Sequence, residues 1–581
     1  MIKEVKEVVQ DYDNIYNLEQ IKYEKCFRNK VYEYVYKFIV KVNDENIPIV
    51  MGIPNDWDRK LIDIYIENYK DIVFIPHMDN KGKLCLFELE GVLIHKNFKG
   101  LLNQSLLRMN KVLVEGISGS NKKDFIEEFE NYWLILPGAK NMKSMIELTD
   151  NIKVIKYADN KVTRKKKKKE KYIDILKNNN MYNFIVSDKE KDFTLYKDMN
   201  EIKNAVYINI ISNKYIYPPD WRKELSLEYI NMLVNYDGVN KELLYNCIKK
   251  CKKDLLIVFN INQNGKYSSI FGVMIEKYNV KYECDKLMII SDEKLVPCYV
   301  SRCDYEYLVN RGGANYKLKD KKILIIGCGS IGGYLTNEMV KAGFNDITVI
   351  DNDLLHEENI YRHLLGLEYI EKYKSKALED YIKKNIPNVN IKSIQDTIED
   401  SLIDGNISLS DYDLILSAIG NHNGNRWLNG FIYKNKINVP VIYLWNEVLG
   451  IGNHGMYICR RNKGCYECLF RYDDNGEIYD ASSYCEKGQK FVKTVVGCGT
   501  AYLPYSSTNS LKTSILGVEM AIKYFLDMFN ENYIISIKGD NFYFKMLGYR
   551  TSMRYNNQEQ IKEKLEGEKF RVKDCRCCRG N

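Results

Sequence analysis

No stretch of this 581-residue chain is apolar for long enough to span a bilayer, and its opening MIKEVKEVVQDYDN lacks the hydrophobic core of a secretion signal. These absences make a cytoplasmic protein without a membrane partner the expectation. The basic run Arg164–Lys169 supplies most of the excess behind a net charge of +8. It has no interleaved aromatic residues to stack on bases, so it reads as a solvated linker and no nucleic-acid partner is expected. With no export signal, the 16 cysteines point away from disulfides and toward metal binding and thiol chemistry.

A hydrophobic content of 45% with regular apolar runs excludes a disordered chain, and the length calls for several domains. Three regions separate by texture: 1–140, 141–313 and 314–581. The first has short β-type runs (VYKFIVKV, DIVFIP, KLCLFEL, GVLIH) and then a helical segment near Lys123 to Tyr132. Between about Lys143 and Asn180 charge rises and the pattern weakens, which reads as a linker. From Tyr182 to Gly313, strand-like AVYINII, LLIVFNI and LMIIS alternate with helical LEYINMLVNY and KELLYNCIKKC. This is an α/β segment without a catalytic motif. The expected fold class is α/β throughout, with an α+β region at the N-terminus.

The most distinctive segment is KKILIIGCGSIGGYLTNEMVKAG, an apolar strand, a glycine turn and a helix. Gly327, Gly329 and Gly332 form G-x-G-x-x-G: the first allows the turn, the second lets backbone approach a phosphate, and the third packs helix on strand. The next strand, DITVID, ends on Asp351, placed to hold a ribose hydroxyl. Alone, this describes any Rossmann-like nucleotide site, a nicotinamide dehydrogenase included. Asp351, Asp353, Asn359 and Arg362 in DNDLLHEENIYRHLLG, followed by Lys376, narrow it.

That set resembles the ubiquitin-activating enzymes and their ThiF-type bacterial relatives in thiamin and molybdopterin synthesis. The resemblance implies a mostly parallel Rossmann-like sheet and adenylation of a carboxylate by ATP with Mg²⁺. Charge building on the phosphates calls for cations. Arg362 offers a bidentate fork and Lys376 a point charge, Asn359 a hydrogen bond to the phosphate chain, and Asp351 a hold on the ribose. The family's arginine often reaches a neighbouring subunit's nucleotide, so a homodimer is implied. One position departs: where the family has a magnesium-binding aspartate, DYDLILSAIGN has Gly420, followed by Asn421.

Cys465 and Cys468 in GCYECLF, with Cys575 and Cys578 in DCRCC, are two C-x-x-C pairs able to hold a structural Zn²⁺ as four thiolates. The long spacing between the pairs matches the same family, in which zinc fastens the C-terminus to the domain. Cys577 is an alternative fourth ligand.

Two further cysteines are candidate nucleophiles. VVGCGTAYLPYSS sets Cys498 before a glycine turn and an amphipathic helix ending near Phe525, where the family's acyl-accepting thiol lies; Cys485 in SSYCEKGQK is its rival. IPHMDNKGKLCLFELEG resembles the active-site segment of ubiquitin-conjugating enzymes, with His77 at its head and then Gly82, Cys85 and Leu86. The proline and asparagine usual after that histidine are replaced by Met78 and Asp79; Asn80 is a candidate for the oxyanion-stabilising role, and His77 reads as structural.

The order of conjugating-like, intervening and activating-like regions resembles bacterial fusion enzymes of CBASS anti-phage operons. The resemblance implies a relay. A protein C-terminus, there that of a cyclic-nucleotide synthase, is adenylated, captured on Cys498, passed to Cys85 and joined to a target amine. The other readings are a stand-alone adenylyltransferase for sulfur transfer or peptide modification, and a non-catalytic nucleotide-binding scaffold.

Overall fold

A computed structural model describes residues 2–21, 30–87, 97–159, 182–195, 201–491, 493–494, 501–502, 504–526 and 531–579. They divide into two units, Met1–Asp304 and Tyr305–Asn581. Among the described residues no helix is long and apolar enough to cross a membrane.

The first unit opens with an antiparallel meander, β1 (Ile15–Ile21), β2 (Tyr34–Val42), β3 (Glu45–Ile53) and β4 (Asp63–Ile66). In β2 every second residue (Tyr36, Phe38, Val40, Val42) turns inward and is buried, the period-two pattern of a half-covered sheet. The helix Phe98–Ser118 packs with this sheet through Leu102, Leu106, Met109 and Leu113, one face at helical spacing. Asn97 caps its start and the left-handed Gly119 ends it. Gly116 in that helix lies against Ile75: an added Cβ would stand 2.8 Å from the Ile75 Cβ. That contact seats the stretch leading to His77. DIVFIP, expected as a strand, joins no ladder, although Ile75 is fully buried.

The same unit continues into a closed seven-stranded barrel. Its members are β5 (Lys140–Ser144), β6 (Lys153–Asp159), β7 (Phe184–Ser187), β8 (Lys203–Ser212), β9 (Leu255–Gln263), β10 (Tyr267–Ile275) and β13 (Val296–Arg302). A separate hairpin is made by β11 (Asn279–Glu283) and β12 (Lys286–Ile290). The expected linker from Lys143 thus holds two barrel strands, β6 and part of β5; the basic run Arg164–Lys169 lies outside the described residues. Trp133 ties the preceding helix to the barrel: its indole N–H donates to the Gly272 carbonyl at 3.1 Å and its ring lies 4.1 Å from that of Phe271.

The second unit is built on an eight-stranded sheet. β16 (Asn390–Ile394), β15 (Asp346–Ile350), β14 (Lys322–Ile326), β17 (Leu414–Ser417) and β18 (Val441–Asn446) run parallel. β19 (Gly452–Ile458) and the strands Tyr533–Lys538 and Lys562–Glu566 then pair antiparallel. The near-continuous apolar run of β14 fits a strand covered on both faces. The glycine turn follows at its carboxyl end, where nucleotides bind open sheets of this kind.

Candidate adenylation and thiol sites

Gly327 leaves β14 with φ +89°, and a Cβ there would meet the Ala418 carbonyl oxygen at 2.8 Å. Gly332, in the helix Ser330–Lys341, packs closer still: a Cβ would lie 1.8 Å from the Gly327 oxygen. Gly329 differs, since nothing lies within 4 Å of its Cβ direction. It caps the helix without a side-chain hydrogen bond, so no cap side chain takes up the first helical N–H groups, the arrangement that attracts phosphate. Asp351 braces the turn by accepting from the Cys328 N–H at 2.6 Å and the Asp353 N–H at 2.8 Å. Burial holds its carboxyl above the ordinary aspartate value.

Asn359 closes a capping box at the short helix Glu357–Arg362, its Oδ1 accepting from the His356 N–H at 3.2 Å. The Arg362 guanidinium lies 5.6 Å from the centre of the Tyr505 ring, and the Tyr505 hydroxyl is 3.1 Å from the Ser330 Oγ at the head of the phosphate-facing helix. His363, absent from the motif reading, locks this segment to the turn. Burial lowers its pKa to about 4, so the ring is neutral at physiological pH. Nδ1 accepts from the Leu365 N–H at 3.1 Å, and Nε2 therefore donates to the Cys328 carbonyl at 2.7 Å.

The two lysines of KSK part ways. Lys374 pairs with Asp353 at 2.9 Å, is mostly buried, and is among the charges felt by Cys328, Asp351 and His363. Lys376 lies along its own helix, paired with Asp380 at 3.0 Å and Glu379 at 3.2 Å. Gly420 has φ +71° with open space around it, and Asn421 caps the next helix by accepting from the Asn423 N–H.

The four paired cysteines converge. Sγ separations are 3.9 Å for Cys465–Cys468 and 3.7 Å for both Cys465–Cys575 and Cys468–Cys578, and all four are buried. A tetrahedron of thiolates at about 2.3 Å from zinc has S···S edges of about 3.8 Å, so the set fits that ion. Cys577 stands outside this set of four: its Sγ accepts from the Asn429 Nδ2 at 3.0 Å, while it also reaches the Cys465 thiol.

Cys498 lies outside the described residues. Cys485 is half-buried beside Glu447, whose Oε2 accepts the Cys485 N–H at 3.2 Å. Burial works to raise the Glu447 pKa, but the hydrogen bond from His454, 2.8 Å away, wins and sets it at about 2. Burial and this fixed negative charge push the Cys485 thiol well up.

In the first unit, residues 83–85 run extended between β4 and the stretch 77–79, after a left-handed Gly82. Leu84 N–H donates to the Ile64 carbonyl and Cys85 N–H to the His77 carbonyl, at 2.9 and 2.8 Å. Cys85 is exposed on the wall of a groove of about 850 Å³ that is also lined by Lys30, Tyr32, Asp63 and Lys83. Partial burial, then Glu128 and Asp79, raise its thiol pKa, so resting Cys85 is protonated. His77 takes a left-handed backbone (φ +60°), and both ring nitrogens sit at 3.0 Å from carboxylates, Nδ1 on Glu128 and Nε2 on Asp124. Glu128 first and then Asp124 raise its pKa to about 9 against the opposing effect of burial. A doubly hydrogen-bonded imidazolium cannot take up a proton; it anchors the segment that accepts the Cys85 N–H. Asn80 is exposed in the turn between them.

Residues 308–531 match the ThiF family and residues 18–140 match the Prokaryotic E2 family B. A protein of Pseudomonas aeruginosa (strain BWHPSA011 / Pa011) named "ATP-dependent ubiquitin transferase-like protein Cap2" is 29% identical over 234 residues, 39% of this chain and 41% of its own. The protein of that name from Escherichia coli (strain TW11681) is 22% identical over 501 residues, 79% of this chain and 82% of its own. The NEDD8-activating enzyme E1 catalytic subunit of Schizosaccharomyces pombe is 28% identical over 151 residues, 25% of this chain and 33% of its own. The match thus spans less than half of the Pseudomonas relative and most of the Escherichia coli one.

Proposed function

We propose, for a chain that belongs to the ThiF family over residues 308–531 and to prokaryotic E2 family B over residues 18–140, that it uses ATP to activate a protein C-terminus and then joins it to an amine. The observation that carries this reading is the pairing, in one chain, of an open glycine turn braced by Asp351 with an exposed thiol in an E2-family segment. The carboxylate attacks the α-phosphate of ATP, pyrophosphate leaves, and an acyl adenylate remains. Arg362, with Tyr505 under its guanidinium, and Lys374 or Lys376 supply the positive charge that this step needs. Asn359 shapes the segment that presents Arg362. Magnesium would neutralise phosphate charge there, and Gly420, in place of a carboxylate, would offer it no side-chain ligand.

Cys498 then takes the acyl group as a thioester and AMP leaves. The raised thiol pKa of Cys485 disfavours the rival. Transthiolation to Cys85 and attack by a target amine complete the relay, and carrying both thiols on one chain raises the effective concentration of the second. Cys465, Cys468, Cys575 and Cys578 would hold zinc as a fastener of the C-terminal tail, away from the chemistry. The fully exposed Tyr361 beside Arg362, and the exposed Leu367, suit a second copy of this chain in a homodimer. The resemblance to CBASS fusion enzymes makes a cyclic-nucleotide synthase the first C-terminus to try and the cytoplasm the place of action.

Exchange of labelled pyrophosphate into ATP, dependent on an added protein C-terminus, tests the first step. Loss of exchange in Arg362→Ala supports it; exchange that survives the substitution refutes the assignment. Gly420 favours one second reading, a nucleotide-binding scaffold. In that case ATP binds and no exchange occurs with any C-terminus.

A further inference from the structure

The wall of the Cys85 groove carries a feature that activation and relay leave unused. Hydrogen bonds from Leu84 to Ile64 and from Ile66 to Gly82, with the bridge Tyr65↔Lys83, set residues 82–85 antiparallel to β4. Lys83 and Cys85, two apart in an extended strand, project to one face about 6.6 Å from each other, while Leu84 is buried on the other. The same register places Asp63 across from Cys85. Asp63 is 8% exposed, and its carboxylate collects two ammonium groups, Lys83 at 2.5 Å and Lys30 at 2.7 Å, together with the Tyr32 hydroxyl at 2.6 Å. Burial of Asp63 works against its charge, and these three donors outweigh it. Lys83 is also among the charges that act on the Cys85 thiol.

We propose that Lys83 is an internal acyl acceptor, to which a carboxyl group carried by Cys85 as a thioester passes when no other amine arrives, at a rate held down by the Asp63 carboxylate. This rests on the reading of Cys85 as a thioester carrier. The four-methylene stem of lysine covers the distance between neighbouring positions on one strand face. The step begins when the ion pair opens and the ammonium gives a proton to water, because a paired ammonium has no lone pair. The amine nitrogen then forms a bond to the carbonyl carbon, the C–S bond breaks, and the proton lost by the nitrogen ends on the departing Cys85 sulfur. The product is an amide on Lys83 and a free Cys85 thiol. Such an amide occupies the groove, so the chain would retire itself when a thioester waits unused.

The test uses the full chain and a fluorescent peptide ending in glycine, supplied as its mercaptoethanesulfonate thioester. Thiol exchange at Cys85 loads the acyl group and releases mercaptoethanesulfonate, so neither ATP nor the natural substrate is needed. Mass spectrometry of tryptic peptides, before and after thiol treatment, locates the label. The expected result is a thiol-labile label on Cys85, lost in Cys85→Ala, that converts with time to a thiol-resistant label on Lys83. Lys83→Arg keeps the ion pair, abolishes the resistant label there and lengthens the life of the labile one. Asp63→Asn speeds conversion several-fold; if that variant does not fold, the comparison of wild type with Lys83→Arg decides alone. A Cys85 label that disappears only by hydrolysis, with no amide on Lys83, overturns the inference and leaves Cys85 as a carrier. Absence of any labile label that depends on Cys85 overturns both.

Discussion

Replacing Cys575 by serine should unlatch the C-terminal tail. Each of the two ties, Cys465–Cys575 and Cys468–Cys578, joins positions 110 apart. A cross-link closing a loop of roughly 100 residues removes about 4.7 kcal/mol of unfolded-chain entropy in the loop-closure treatment. In a unit of this size about 1 kcal/mol moves the midpoint by about 2–4 °C, so a fall of about 10 °C or more is expected. The assay is elemental analysis for zinc together with thermal unfolding of the full chain followed by circular dichroism. Wild type should carry about one zinc per chain; Cys575→Ser should carry little and unfold earlier. Cys577→Ser is the control: the four thiols that close on one another do not include Cys577, so zinc should stay. A wild type without zinc, or a zinc-free Cys575→Ser that unfolds where wild type does, would refute the staple.

The other expectations concern charge and space. With a pKa of about 9 in the fold against about 6.5 free, protonated His77 contributes stability fully present below about pH 6.5 and lost as pH rises through 9. That shift is worth about 3 kcal/mol, or about 2 after allowing for the quarter of the side chain that is exposed. Urea unfolding at pH 7 and pH 10 should therefore differ more in wild type than in His77→Asn, which tolerates the left-handed backbone; equal differences would remove the clamp. Gly332→Ala should destabilise the second unit by about 3 kcal/mol in thermal unfolding, because its Cβ meets the Gly327 oxygen. Gly329→Ala should leave stability within about 0.5 kcal/mol yet weaken ATP binding, since its Cβ fills the space left for phosphate. Lys374→Ala should cost more ATP affinity than Lys376→Ala, by about 1.5 kcal/mol in calorimetric titration, and the reverse order would return the role to Lys376.

The parts of this molecule that are legible in the sequence are local ones. β14, the glycine turn, the helix Ser330–Lys341 and Asp351 follow one another along the chain, and each glycine has a steric reason visible in its spacing. The barrel is not legible. It closes through pairings such as β5 with β13, whose partners lie more than 150 positions apart, and a strand as short as Lys140–Ser144 shows little period of its own. Lys374 and Lys376 share a helical turn, and their partners, Asp353 for the first and Glu379 with Asp380 for the second, separate their roles. Cys577 and Cys578 are neighbours, and only the fold shows that Cys578 completes the set of four while Cys577 bonds Asn429, far off in sequence. His77 reads as structural from its motif, but its partners Asp124 and Glu128 arrive from a later helical segment and carry no motif. His363 offers one faint signal, its position directly after Arg362.

The most direct test of activation followed by conjugation works even with the substrate unidentified. Tagged chain is purified from its own cells under non-reducing conditions and compared with and without thiol treatment. ATP-dependent, thiol-labile protein adducts should appear on wild type at both Cys498 and Cys85, at Cys498 alone in Cys85→Ala, and at neither in Arg362→Ala. Adducts that persist unchanged in Arg362→Ala, or that ignore the loss of Cys85, would contradict the relay.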